Sequence, residues 1–87
     1  MKNERRVFKE RIKAGEDLLK ERKKVFERAS ESVDQAMHLF GDREAARRVF
    51  PEAFDLMEKE QTRIAEINKQ LEELRSKLDE LKAEKAA

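Results

Sequence analysis

The apolar residues in the first forty positions recur with the spacing of one helical face. After Phe8, small or apolar side chains return at steps of three, four or seven residues, the period of an α-helix that buries one side. They are Ile12, Gly15, Leu19, Phe26, Ala29, Val33, Met37 and Phe40. We predict a helix from about residue 3 to residue 40. Ser30 and Ser32 could cap a new helix and mark a kink, but the uninterrupted pattern favours continuity.

A second apolar stripe runs beside the first along the same predicted helix. The members of this second stripe are Val7, Ala14, Leu18, Val25, Ala36 and Leu39. A two-stranded coiled coil needs only one seam of apolar residues along each helix. The wider apolar arc therefore predicts that the first helix contacts more than one neighbouring helix.

The chain is predicted to turn at Gly41 and Asp42. Glycine adopts the left-handed conformation that ends many helices, and an aspartate side chain can accept a hydrogen bond at the start of the next helix. Residues 43–50 are predicted to form a short helix. Pro51 suits the first turn of a third helix, because the amide hydrogen that proline lacks would have no partner there.

The last part of the chain carries a heptad pattern, in which core positions alternate by steps of four and three. This pattern predicts a helix from about residue 51 to residue 85. The core positions are Ala53, Met57, Glu60, Ile64, Ile67, Leu71, Leu74, Leu78 and Leu81. Glu60 is the charged exception, and three interpretations are open: a device that fixes helix register, a snorkelling side chain, or a local opening of the bundle.

Together these elements predict an all-α fold with one domain, residues 1–87. Two long helices joined by a short helical connection bury their apolar faces most simply as an antiparallel coiled-coil hairpin. Because two helices form only a thin seam, we expect two hairpins to dimerise into a four-helix bundle. The predicted self-interface consists of Phe8, Ile12, Leu18, Leu19, Val25, Phe26, Ile64, Ile67, Leu71, Leu74, Leu78 and Leu81.

Several large apolar residues also gather near the predicted connection. These are Phe40, Val49, Phe50 and Phe54. We favour the interpretation that they form a hydrophobic plug that closes the end of the bundle. The alternative is an exposed patch to which a partner docks.

Composition supports this fold and adds a charge asymmetry. Charged residues make up 47% of the chain and hydrophobic residues 38%, a balance typical of long helices. Such a chain could be disordered, but the helical spacing of its apolar residues argues for order. Residues 1–28 carry eleven Lys or Arg against six Asp or Glu, residues 29–62 four against eight, and residues 63–87 six of each. A hairpin would therefore be electrically polar along its length, with acidic charge around the turn.

The sequence offers little for catalysis or cofactor binding. It has no cysteine, which excludes disulfides, thiolate nucleophiles and thiolate metal sites. The single histidine, His38, lacks an evident catalytic partner, and a metal site would need carboxylates such as Asp34 or Asp42 to converge on it. Gly15 and Gly41 do not form a phosphate-binding loop. We expect no enzymatic activity, no cofactor and no metal.

The sequence also lacks an apolar run of the roughly 18 to 20 residues that would span a bilayer, and its first residues are charged. We therefore expect a soluble, cytoplasmic protein that is not exported and does not bind membranes. The leading hypothesis is a non-catalytic protein–protein interaction module. It would be a self-associating scaffold, adaptor or small regulatory protein, forming a homodimer and able to present its turn or its basic helix to a larger protein.

Two alternatives remain open from the sequence. The first is a nucleic-acid-binding accessory protein that contacts phosphates through Lys20, Lys23 and Lys24 on the basic first helix. Interspersed acids and the net charge of +1 favour a solvated, salt-bridged face there instead. The second is a de novo designed helical bundle with no natural function. Idealised stretches such as residues 72–78 suggest it, whereas Gly15 inside a predicted helix opposes it.

Overall fold

The computed structural model describes the backbone of residues 2–86 and the side chains of residues 4–84. The described residues form three helices, α1 (Lys2–Phe40), α2 (Arg43–Val49) and α3 (Pro51–Ala86), and contain no strand. The molecule is a rod of 61 × 16 × 15 Å. For these residues the predicted all-α, elongated hairpin is confirmed.

Helix α1 continues through Ser30 and Ser32 without a break. The Ser32 hydroxyl donates to the carbonyl oxygen of Arg28 at 3.2 Å, so it is satisfied within the helix and caps nothing. Ala29 and Val33 are buried on either side of Ser30, because both belong to the face that packs on α3. Burial of one continuous face thus outweighs the local capping tendency of the two serines.

The connection is built from the caps that the sequence suggested. Gly41 has a φ of 66°, and its N–H donates to the Met37 carbonyl at 2.8 Å. A side-chain oxygen of Asp42 accepts from the Glu44 N–H at 3.2 Å and starts α2. Helix α2 ends at Val49, one residue earlier than expected, because the residue before a proline avoids helical backbone angles.

Helices α1 and α3 pair antiparallel and enclose two apolar clusters. The turn cluster contains Val33, Ala36, Ala46 and Phe54, with Ala53 and Met57 packed against it. The stem cluster contains Ile12, Leu71 and Leu78, with Phe8, Leu19, Ile67 and Leu74 packed against it. The start of α1 therefore lies beside the end of α3, which defines an open end of the rod opposite its turn end.

The two helices approach each other closely at Gly15. A Cβ atom added there would lie 2.7 Å from Cδ2 of Leu71, which is closer than carbon atoms normally approach. The missing side chain of Gly15 thus leaves the space that the buried Leu71 fills. This close packing explains why a glycine occupies the buried face of a long helix despite its low helix propensity.

Candidate functional site

The structure separates the predicted self-interface residues into those in the seam between α1 and α3 and those in the second stripe. Ile12, Leu71 and Leu78 are buried between α1 and α3 of a single chain, and four more predicted residues pack against them. Phe26, Ile64 and Leu81 are half-buried. The antiparallel pairing of α1 with α3 in one chain brings these side chains together as the seam of the hairpin, and their role between two copies stays a prediction.

The second stripe stays largely at the surface. Val7 and Leu18 are each 41% exposed, and Leu39 is 76% exposed. Val25 is half-buried, whereas Ala36 is buried and belongs to the turn cluster instead. Leu18 borders a shallow groove of about 380 Å³ that Arg22, Arg63, Glu66, Ile67 and Gln70 complete. The extra apolar arc of α1 is therefore not consumed by packing on α3.

The residues predicted to plug the end of the bundle also separate. Phe54 is fully buried, and the guanidinium carbons of Arg43 and Arg47 lie 6.0 and 5.9 Å from the centroid of its ring. These distances suit cation–π contacts that cover the ring. Phe40, Val49 and Phe50 are exposed. The plug thus consists of Phe54, and the other three residues form an apolar surface around the turn.

Part of this surface is a groove between the end of α1 and the start of α3. We call it the turn groove; its volume is about 650 Å³. Its lining combines apolar and polar residues: Ser32, Gln35, Ala36, Leu39, Arg48, Val49, Phe50, Pro51, Glu52 and Ala53. Leu39 belongs both to the second stripe and to this groove, so the stripe reaches the groove at its turn end.

Helix α2 is too short to cover the end of the rod. Within its seven residues only Ala46 is buried, so one turn of the helix rests on the core and its last residue, Val49, projects beyond it. The sequence could not show this arrangement, because the apolar residues of one short helix fit a buried and an exposed face equally well.

The charged exception in the α3 heptad is a buried carboxylate. Glu60 is 1% exposed and lies between the turn cluster and the stem cluster. Its Oε1 atom accepts from Nη1 of Arg22 on α1 at 3.2 Å and from Nη1 of Arg63 on α3 at 3.3 Å. Its Oε2 atom is buried and accepts no hydrogen bond from the described residues. The side chain therefore neither snorkels to the solvent nor opens the bundle.

The sequence pattern did not identify Arg22 as the partner of Glu60. It falls in the seven-residue step between Leu19 and Phe26, on the apolar face of α1, where the apolar pattern has no member. The signal that could have found it is complementary: Arg22 lies on the buried face of α1, Glu60 lies on the buried face of α3, and their charges are opposite. The antiparallel register places these two residues side by side.

Other ion pairs lie on the surface of the rod. Arg75 and Glu16 link α3 to α1 at 3.5 Å, and Arg47 and Glu58 link α2 to α3 at 3.1 Å. All four side chains are about half exposed, so each pair contributes at most about 1 kcal/mol. These contacts support the antiparallel register without carrying much of the stability.

The basic residues proposed for phosphate contact are all exposed. Lys20, Lys23 and Lys24 lie within one turn of α1. The exposed phenylalanines, Phe40 and Phe50, lie near the turn, far along the rod from these lysines. The structure therefore does not bring aromatic side chains that could stack on bases beside the basic residues.

His38 lies at the surface near the end of α1. It borders a shallow depression of about 590 Å³ with Asp34, Gln35 and Leu39. Across the described residues, no three or more His, Cys, Asp or Glu side chains are placed to hold a metal ion. Within the same residues, none of the helices combines the length and the apolar character needed to cross a membrane.

Comparison with known proteins gives no match to a family model, to a curated protein or to a solved structure.

Proposed function

We propose that this chain is a non-catalytic interaction module whose helical hairpin associates with a second copy of itself. The observation that carries the proposal is the set of large apolar side chains left exposed in the second stripe and around the turn. These side chains are Val7 and Leu18 along α1, and Leu39, Phe40, Val49 and Phe50 near the turn. Extended apolar surface of this kind marks sites of protein–protein contact.

The thinness of the hairpin supports self-association. A chain of 87 residues buries a modest share of its surface, and two paired helices leave each helix open on its other sides. A second hairpin laid along α1 would cover Leu18 and Val25 and complete a four-helix arrangement. Because the same residues are present on both chains, one apolar stripe can serve as both halves of a two-fold symmetric interface.

The first test is the solution mass of the chain by light scattering over a concentration series. We expect twice the chain mass of 10.3 kDa. The double variant Leu18→Glu/Val25→Glu is expected to have the mass of one chain while keeping its helical circular dichroism. A matched control, Ala65→Glu/Ala83→Glu, adds the same charge at two exposed positions of α3 and is expected to remain dimeric.

A single-chain mass for the unaltered protein throughout the series would contradict the proposal. A dimeric Leu18→Glu/Val25→Glu variant would show that self-association uses a surface other than the second stripe.

Nucleic-acid binding has less support. The exposed lysines of α1 are interspersed with acids, and the exposed phenylalanines lie near the turn, where the chain is acidic. Binding of this kind would weaken steeply as salt is raised. A gel-shift assay at low salt with duplex and single-stranded oligonucleotides tests it, and reversal of the charges at Lys20, Lys23 and Lys24 is the matching variant.

A further inference from the structure

The charge asymmetry of the sequence becomes a lengthwise dipole in the folded rod. Arg22 meets Glu60, and Arg75 meets Glu16, so the basic first part of α1 lies beside the neutral second part of α3. Residues 29–62, which carry a net charge of −4, form the turn end. Residues 1–28 carry a net charge of +5 and run from the open end past the middle of the rod; residues 1–19, at the open end, contribute +2 of it. The rod is 61 Å long, several times the Debye length of about 8 Å at physiological ionic strength. The two ends therefore act as separate charges of opposite sign.

The second stripe runs along most of the length of the rod. Val7 lies near the open end and Leu39 near the turn end. These two residues are separated by about 48 Å at a rise of 1.5 Å per residue. Two such stripes can lie along each other in parallel or antiparallel orientation, and the apolar contacts alone do not decide between them.

Charge decides the orientation. Parallel docking would place the two acidic turn ends together and the two basic open ends together, whereas antiparallel docking places each turn end beside an open end. Like charges at an interface oppose association, and complementary potentials favour it. We infer that two copies dock antiparallel along α1, with Val7 of one chain near Leu39 of the other. This inference rests on the proposed self-association and names its geometry.

The inferred geometry also gives the turn groove an occupant. Leu39 lies in the groove as well as in the second stripe. When two α1 helices run antiparallel with residue 7 opposite residue 39, the start of one helix passes over the groove of the other. Val7 then lies beside Leu39 at the edge of the turn groove, and this happens twice in a symmetric dimer.

The experiment is a pair of distance measurements between spin labels on the dimer. Because the chain has no cysteine, a single introduced cysteine labels each copy at one position. The variants are His38→Cys near the turn and Lys24→Cys near residue 23, the midpoint between residues 7 and 39; both positions are exposed. Light scattering first establishes that each labelled variant has the mass of the unaltered protein.

The two labels give different distances only in the antiparallel dimer. The two copies of residue 38 would then be separated along the rod by 30 residues, which is about 45 Å or more. The two copies of residue 24 would lie within about 30 Å, since packed helix axes are 8 to 10 Å apart and the labels extend outward. A parallel dimer would give short distances at both positions.

The possible outcomes test the antiparallel orientation and the self-association separately. A long distance at residue 38 with a short one at residue 24 is the expected result. Short distances at both positions in a protein of dimeric mass would overturn the antiparallel orientation and leave self-association standing. A monomeric mass would overturn both proposals.

The salt dependence of the dimer tests the electrostatic argument separately. We expect the dissociation constant to rise several-fold when ionic strength is raised from low to high, because salt screens the attraction between opposite ends. A dissociation constant that falls or stays constant would remove charge as the cause of the orientation.

Discussion

Replacing Glu60 with leucine is expected to stabilise the hairpin. Glu60 is 1% exposed and occupies a core position of the α3 heptad, between the turn cluster and the stem cluster. One of its carboxylate oxygens receives two arginine contacts, and the other is buried and accepts no hydrogen bond from the residues that the structure describes. The position therefore carries the cost of a buried charge that is only half satisfied.

The size of this stabilisation depends on the hydration that each charged group loses or regains and on the apolar burial that leucine adds. Desolvation of a buried carboxylate costs several kcal/mol, and arginine contacts offset only part of it. The side chains of Arg22 and Arg63 are 33% and 55% exposed, so both can be rehydrated when Glu60 is removed. Burial of a leucine side chain contributes about 1.5 to 3 kcal/mol. We expect Glu60→Leu to raise the free energy of unfolding by about 1 to 3 kcal/mol.

The opposite effect is expected when one arginine is removed. Arg22→Met leaves the buried carboxylate with Arg63 alone, and we expect a loss of about 1 to 3 kcal/mol. The loss is smaller than for a fully enclosed pair, because one arginine contact remains and the site borders solvent. In a chain that already carries Glu60→Leu, the same Arg22→Met substitution should cost almost nothing, since no buried charge is left unpaired.

The assay is urea unfolding followed by circular dichroism, with the four chains compared at one fixed concentration because the proposed self-association would add to apparent stability. A matched control is Glu73→Leu at an exposed position of α3, which should change stability by less than about 0.5 kcal/mol. If Glu60→Leu lowers the urea midpoint as much as Arg22→Met does, the carboxylate is a net stabilising element and the reasoning is refuted.

Three further substitutions test other parts of the fold by the same assay. Gly15→Ala should destabilise the unaltered chain, because the new Cβ would lie 2.7 Å from Leu71. In a chain that carries Leu71→Ala, the same substitution should stabilise by about 1 kcal/mol through helix propensity. An effect of the same sign in both chains would contradict the close packing. Phe54→Ala should lower the free energy of unfolding by about 3 to 5 kcal/mol, because Phe54 is buried. Phe50→Ala should lower it by less than about 1 kcal/mol and instead weaken the proposed dimerisation. Similar losses of stability would argue against their different burial. Gly41→Ala should lower the free energy of unfolding by about 1 kcal/mol because Gly41 has a φ of 66°, although a Cβ there meets open space. Gly41→Asn should lower it less, because asparagine adopts this conformation more readily than alanine. Equal losses for both variants would mean that backbone conformation is not the cause.

The sequence predicted those parts of the fold that depend on periodicity and on caps. The apolar face of α1 and the heptad of α3 predicted two long helices, and Gly41 with Asp42 predicted where the chain reverses. These signals are local, because each depends on residues within a few turns of one another. They were sufficient for the all-α hairpin.

The sequence could not predict which apolar residues stay at the surface. Leu18 and Leu19 fall in separate stripes of α1, but the periodicity did not say how far α3 would cover the second stripe; Leu19 packs on the stem cluster and Leu18 is exposed. Their difference depends on how α1 is rotated against α3, which is a property of the pair of helices and not of either sequence pattern. The partnership of Arg22 with Glu60 was hidden for the same reason, since it exists only once the register is known.

The layer formed by Glu60 and its two arginines also has a mechanical consequence. Because α1 and α3 are antiparallel, tension applied to the chain near residues 4 and 84 separates the two helices progressively, starting at the open end. The stem cluster would then open first, and the opening would reach the charged layer before the turn cluster. In a single-molecule pulling experiment, water entering at Glu60 would hydrate its carboxylate, so a half-open hairpin is expected to pause at that layer.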